Sequence, residues 1–138
     1  MRRLFKPYSL FAILFMLFAF TLNVNAQEKK TDDAVYTVVD SEAQFPGGMD
    51  ALAKFLAENV RYPQLAQEKE VQGRVMISFI VEKNGTLSDI KAVRDIGAGC
   101  GDEGVKVVKR MPKWIPAKKN QENVRQQIYL PISFSLQK

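Results

Sequence analysis

The dipeptide Asn84-Gly85, placed between two runs of alternating apolar residues, constrains the fold of this chain more than any other feature. Both residues tolerate the positive φ angles of a type I′ turn, which makes the pair the strongest short signal for a β-hairpin. Every second residue from Val75 to Val81 is apolar, so this strand presents one apolar face. The return strand spans 87–94, where imperfect alternation predicts a β-bulge. The sequence therefore predicts an antiparallel pair of strands in the middle of the chain.

Two helices are predicted before the hairpin. Apolar residues at helical spacing from Met49 to Val60, after a turn at 45–48, predict an amphipathic helix of about 12 residues. The pair Tyr62-Pro63 ends this helix, because the residue before a proline is pushed out of the helical region. Pro63 can then occupy the first position of a short second helix that runs to Lys69.

A third helix and a last strand are predicted after the hairpin. Asp102 and Glu103 stand at the start of this helix, where carboxylates cap free backbone N–H groups, and Pro112 ends it. Residues 124–136 alternate as one long strand. Pro131 cannot donate a hydrogen bond to a neighbouring strand, which favours a position at the open edge of the sheet. The predicted fold is α+β, a small antiparallel three-stranded sheet with two main helices packed on one face.

The first 26 residues have the three-part layout of a secretory signal peptide: a positive start, a 14-residue uncharged run and a small residue, Ala26, at the cleavage point. The alternative is a short membrane anchor, although a spanning helix needs about 20 apolar residues. We therefore expect a signal peptide at 1–26, a flexible lead at 27–43 with an extended piece at 35–39, and one domain at 44–138. The mature protein is expected in the periplasm. With an uncleaved anchor it would stay at the inner membrane, facing the periplasm.

The composition excludes several classes of enzyme. The chain has no histidine and one cysteine, Cys100, so it can form neither a histidine-based acid–base site nor an intramolecular disulfide. The glycines of 99–104 match G-x-G-x-x-G, but the carboxylates of Asp102 and Glu103 would repel a pyrophosphate. Removal of 1–26 takes away three basic residues and lowers the net charge from +5 to +2, so we expect no nucleic-acid binding. We predict a binding module without cofactor or metal, and not an enzyme.

Several short motifs, taken in order, resemble the C-terminal domain of the TonB energy-transducer family in the form common in Bacteroidetes. They are Phe45-Pro46-Gly47-Gly48, Tyr62-Pro63, Gly73 with Val75 and Phe79, Asn84-Gly85, Met111-Pro112-Lys113-Trp114 with Pro116-Ala117, and Leu130-Pro131-Ile132-Ser133-Phe134. Each motif alone is weak, and the specificity lies in their order and spacing over residues 45–136. The resemblance implies a periplasmic domain that grips the N-terminal peptide of outer-membrane TonB-dependent transporters and takes part in TonB-dependent transmembrane transport.

The resemblance also implies two contact regions. In the family the peptide adds as a strand to the exposed edge of the last strand, a mode of binding called β-augmentation. In this chain the implied edge residues are Gln126, Gln127, Ile128, Tyr129, Leu130, Ile132 and Ser133. The second contact region precedes the Tyr-Pro pair and consists of Asn59, Val60, Arg61 and Tyr62.

Two departures from the family pattern leave an alternative open. A full transducer has an anchor with a histidine that couples to the inner-membrane motor, and a long proline-rich spacer that crosses the periplasm. This chain has no histidine, and its lead of 17 residues, 27–43, reaches about 60 Å when fully stretched. The alternative is an envelope interaction module that binds peptidoglycan, a membrane-protein tail or a second copy of itself as a homodimer, without coupling to the motor.

Overall fold

The computed structural model describes residues 33–137. The predicted signal peptide and the first part of the predicted lead lie outside the described residues. The elements in chain order are β1 (Val35–Tyr36), α1 (Gly48–Asn59), α2 (Gln64–Glu68), β2 (Gly73–Val81), β3 (Leu87–Arg94), α3 (Cys100–Lys109), β4 (Ala117–Lys119) and β5 (Glu122–Phe134). Within 33–137, no helix is long and apolar enough to cross a membrane.

The sheet has the strand order β1-β5-β2-β3, and β4 also pairs with β5. β2 is antiparallel to both β3 and β5, and its register with β5 is unbroken from Gly73↔Phe134 to Val81↔Gln126. The α+β prediction is confirmed, but the described residues form five strands instead of three. β1 lies within the extended piece predicted at 35–39, but its pairing with β5 was not predicted. β4 has three residues, too few for an alternating pattern to reveal it.

The turn at 84–85 joins β2 to β3 as predicted, but it is of a different type. Gly85 has a φ of +85°, but Asn84 is not among the residues with positive φ, so 84–85 is not a type I′ turn. The Gly85 N–H donates to the Glu82 carbonyl, which makes a three-residue loop with a left-handed glycine. Asn120 and Gln121, by contrast, both have positive φ and join β4 to β5 through a two-residue turn of the I′ kind.

The buried core lies on one face of the sheet. The alternating side chains of β2 that were predicted to share a face, from Val75 to Val81, are fully buried and join one cluster with Leu52 of α1 and Val108 of α3. Trp114 closes this cluster with an edge contact to Phe79, at 5.3 Å between ring centroids. Both longer helices therefore cover the same face, as predicted. The predicted bulge in β3 is also confirmed by two register shifts against β2.

The described part of the predicted lead, 33–43, is hydrogen-bonded to the sheet, which differs from the flexible lead expected. The N–H groups of Asp40 and Ser41 both donate to the Lys118 carbonyl, at 3.0 Å. Ala43 is buried, and its N–H donates to the side chain of Gln126. These partners lie about eighty residues away in sequence, so the polar composition of the lead gave no indication of them.

Candidate functional site

The outer side of β5 is open over residues 127–134. β1 covers this side at Arg125 and Gln126 only, and β4 pairs with β5 no further than Val124. From 127 to 134, β5 pairs with β2 and with no other strand in the described part of the chain. Its outer side therefore presents unpaired backbone N–H and C=O groups, the feature that lets a sheet accept another strand. We call this stretch the open edge.

Side chains along the open edge alternate between the core and the exposed face of the sheet. Leu130 and Ile132 are buried against the helices, and Ile128 packs on the same cluster. Tyr129 points to the other face and is 58% exposed, and Ser133 is also exposed. Any strand that adds here would therefore pair mainly through its backbone, because half of the β5 side chains are already used by the core.

The predicted edge set needs one correction. Gln127, Ile128, Tyr129, Leu130, Ile132 and Ser133 lie on the open edge, but Gln126 does not. Gln126 lies opposite Tyr36 of β1 and is only 3% exposed. Its side-chain oxygen accepts the Ala43 N–H at 2.7 Å, so its role is to hold the lead against the sheet. The prediction missed this contact because β1 and residue 43 carry no pattern that places them beside β5.

A groove joins the open edge to the second predicted region. It has a volume of about 580 Å³ and runs between the end of α1 and the last residues of β5. Leu56, Val60 and Tyr62 line one side, and Ile132 and Phe134 line the other. Tyr62 is fixed there by an edge contact with Phe134, at 5.6 Å, and by donating its hydroxyl hydrogen to the Val71 carbonyl. Ser133, Ser135 and Gln137 add polar groups to the lining, so two regions about seventy residues apart in sequence meet across one groove of mixed polarity.

The backbone of the second region is held by α3. Arg110 Nη2 donates to the Asn59 carbonyl at 2.8 Å, and the Arg61 N–H donates to Glu103 Oε1 at 3.0 Å. Arg110 and Glu103 also lie 3.5 Å apart, so the two side chains form one charged tether. Neither side chain could be assigned this role from the sequence, since Glu103 lies 42 residues from Arg61.

The tether changes the roles predicted for the acidic residues near α3. The predicted caps were Asp102 and Glu103, but α3 begins after Gly99 with no side-chain cap. Asp95 instead accepts the N–H groups of Gly97 and Gly101, at 3.0 and 2.9 Å, and so organises the loop before the helix. Glu103 lies in the first turn of α3, as predicted, and its carboxylate accepts the Arg61 N–H of the second region.

An ion pair stands where the open edge begins. Arg125 binds Glu82 through two hydrogen bonds, Nε to Oε2 at 2.7 Å and Nη2 to Oε1 at 3.1 Å. The Arg125 hydrogen bond is the main reason that the pKa of Glu82 lies below its ordinary value, and the same pairing raises the pKa of Arg125. Arg125 Nη1 also donates to the Asp33 carbonyl at 2.7 Å. One side chain therefore connects β2, β5 and the start of the lead.

The remaining chemical candidates have structural roles. Cys100 is fully buried, and burial together with Asp95 raises the pKa of its thiol, which makes it a poor nucleophile. Gly104 of the G-x-G-x-x-G match packs against Ile77, so this glycine serves close contact between helix and sheet. Residues 33–137 contain no group of histidine, cysteine and carboxylate side chains that could hold a metal ion.

Residues 58–136 match the family model described as Gram-negative bacterial TonB protein C-terminal. The matched range contains the tether, the whole open edge, and the groove lining except Leu56, Ala57 and Gln137. The chain belongs to this family. The resemblance drawn from the sequence motifs is confirmed, and family membership gives the protein a TonB-type role in transport.

Solved structures of TonB C-terminal domains are also similar to this chain. A solution structure of the Helicobacter pylori domain is 26% identical, covers 67% of this chain and 88% of its own, and has a TM-score of 0.46. A shorter form of the same domain is 23% identical, covers 64% and 94%, and has a TM-score of 0.41. No curated protein matches the chain.

Proposed function

We propose that this TonB C-terminal domain lies in the periplasm and binds the N-terminal peptide of an outer-membrane transporter as an added strand on the open edge of β5. The observation that carries the proposal is the unpaired side of residues 127–134, which borders a groove with apolar side chains from α1 and Tyr62 on one side. Backbone hydrogen bonds would supply affinity, and the groove would select the side chains of the peptide.

The groove indicates which peptide side chains fit. A strand on the open edge directs alternate side chains to the helix side, where the groove is lined by Leu56, Val60 and Tyr62. We therefore expect apolar peptide residues opposite Ile132 and Phe134. The intervening peptide residues would lie beside Tyr129 and Ser133 on the exposed face, where polar side chains are tolerated.

The other edge of the sheet is less suited to strand addition. β3 carries the charged residues Asp89, Lys91 and Arg94, and two register shifts interrupt its pairing with β2. Charges and bulges are the features that protect sheet edges from unwanted pairing. The open edge of β5 has no charged side chain from 127 to 134 and no register shift against β2. Its one protective residue is Pro131, which has no N–H to donate to an added strand.

A titration followed by amide NMR tests the proposal. The probe is a synthetic peptide from the N-terminal recognition segment of an outer-membrane transporter of the same bacterium. We expect shifts at 127–134 and at Asn59–Tyr62. The matched control peptide has the same length with prolines at alternate positions, which cannot pair as a strand. Shifts of equal size with both peptides, or none at millimolar concentration, would refute strand addition.

Self-association through the same edge is the second candidate, because an unpaired strand accepts a second copy as readily as a peptide. In that case the protein would function as an envelope interaction module without energy coupling. Sedimentation of the free protein distinguishes the two. A concentration-dependent dimer that the peptide does not dissociate would favour the second candidate over the first.

A further inference from the structure

β1 occupies the same side of β5 that is open further along the strand. Val35 lies opposite Arg125 and Tyr36 lies opposite Gln126, in a parallel register. The next position along β5 is Gln127, where the open edge begins. The edge that our proposed function assigns to the peptide is therefore continuous with the part that the chain covers itself.

The path of the lead after Tyr36 limits the length of an added strand. If the lead continued along β5, residue 37 would lie opposite residue 127. It leaves β5 instead and reaches β4, where Ser41 bridges Lys118. With β1 in place, an added peptide strand can pair with at most the eight residues from 127 to 134 of β5.

Within residues 33–137, β1 is held by few contacts, whereas the chain that follows it is firmly packed. Besides the two-residue pairing, they include the hydrogen bond from Arg125 to the Asp33 carbonyl and the Lys119 ammonium, which lies 4.4 Å from the centre of the Tyr36 ring. Val35 is 40% exposed. Ala43 and Phe45, by contrast, are buried in the core. β1 therefore has few interactions to lose on detaching, as do other weakly packed segments that open locally.

We infer that β1 is a displaceable cover on the peptide-binding edge, and that an extended peptide longer than eight residues displaces it to pair with Arg125 and Gln126 as well. The inference rests on the proposed function. Displacement of β1 frees Arg125 Nη1 from the Asp33 carbonyl, and Nη1 can then donate a hydrogen bond to a peptide carbonyl. The free energy that holds β1 in place lowers the apparent affinity for long peptides, because the uncovered state is only a fraction of the population.

Lys119→Ala tests whether β1 can be displaced, and it changes no residue of the open edge. The variant removes the contact over the Tyr36 ring, and Lys118→Ala is the matched control because that side chain is exposed and adjacent. The probes are a twelve-residue peptide from the transporter recognition segment and its eight-residue core. A cation–π contact at an exposed site corresponds to about two- to fivefold in an equilibrium constant. We expect K119A to tighten binding of the longer peptide by about that factor and to leave the shorter one unchanged.

Amide NMR on the protein, purified as the cell processes it, separates the outcomes. If the longer peptide moves the Val35 and Tyr36 signals to unpaired positions, the cover is displaceable, and Tyr36→Ala should strengthen binding in the same way as K119A. If the longer peptide shifts 127–134 while the Val35 and Tyr36 signals stay unchanged and K119A has no effect, the cover is a fixed part of the sheet. In that case this inference fails and the proposed function stands. If neither peptide shifts 127–134, the proposed function itself fails.

Discussion

Replacement of Gly104 by alanine should destabilise the domain, although glycine to alanine usually stabilises a helix. Gly104 lies inside α3 and faces β2. A Cβ there would stand 2.8 Å from Cδ1 and 3.0 Å from Cγ1 of Ile77, and 3.3 Å from Cγ2 of Val75. Both neighbours are fully buried, so neither can rotate into free space. Overpacking of this kind costs about 1 to 3 kcal/mol.

The opposing effect is smaller. Alanine in a helix interior is favoured over glycine by about 0.5 to 1 kcal/mol, because it loses less backbone entropy on folding. The expected net loss in the free energy of unfolding is therefore about 0 to 2.5 kcal/mol. A loss of 1 kcal/mol would lower the melting temperature of a domain of this size by about 4 to 8 °C.

Urea unfolding monitored by tryptophan fluorescence measures this change, since Trp114 is the only tryptophan and is 6% exposed. A double-mutant cycle with Ile77→Val tests the cause, because valine lacks the Cδ1 atom nearest to the added methyl group. Ile77→Val alone should cost about 0.5 to 1.5 kcal/mol and clearly less in the Gly104→Ala background. Lys106→Ala, exposed on the same helix, is the control. A more stable G104A, or equal costs in the two backgrounds, would refute the packing argument.

Three further predictions concern the site. Glu103→Ala removes the tether and should lower the free energy of unfolding by about 1 to 2 kcal/mol. Loss of the hydrogen bond to the Arg61 N–H should also make amide hydrogen exchange faster at 59–62. Stability should fall as the pH decreases through the lowered pKa of Glu82, because a carboxylate with a depressed folded pKa stabilises above about 4.3 and loses that contribution below it. Val60→Ala removes apolar surface from the groove and should weaken peptide binding about four- to tenfold by calorimetry.

Each of these has a control in the same chain. Asp102→Ala, exposed beside Glu103, should change the stability by less than about 0.5 kcal/mol. Glu82→Gln should flatten the loss of stability as the pH falls below about 4.3, and an unchanged slope would contradict the ion-pair argument. Val93→Ala, exposed on β3 at the opposite edge, should leave peptide affinity unaltered. If it weakens binding as much as Val60→Ala does, the groove is not the contact surface.

The sequence by itself determined the elements with a periodic or local signal. Helical spacing predicted α1, since a stripe of apolar residues every three to four positions buries one face. Strict alternation predicted β2 and β5, and their side chains pack as expected. The order of short motifs identified the family, which the match over 58–136 confirmed. Each of these signals lies within a short stretch of chain and needs no knowledge of what it packs against.

Only the tertiary structure decided how much of β5 is open. The sequence predicted an extended piece at 35–39 but not its partner, and β1 covers Arg125 and Gln126 there and turns a predicted binding residue into a buried one. The tether from Glu103 to the backbone of Arg61 is equally invisible in sequence, because it joins residues 42 positions apart. Such contacts depend on which strands become neighbours, and that order is set by the packing of the whole sheet and its helices, not by any local stretch of residues.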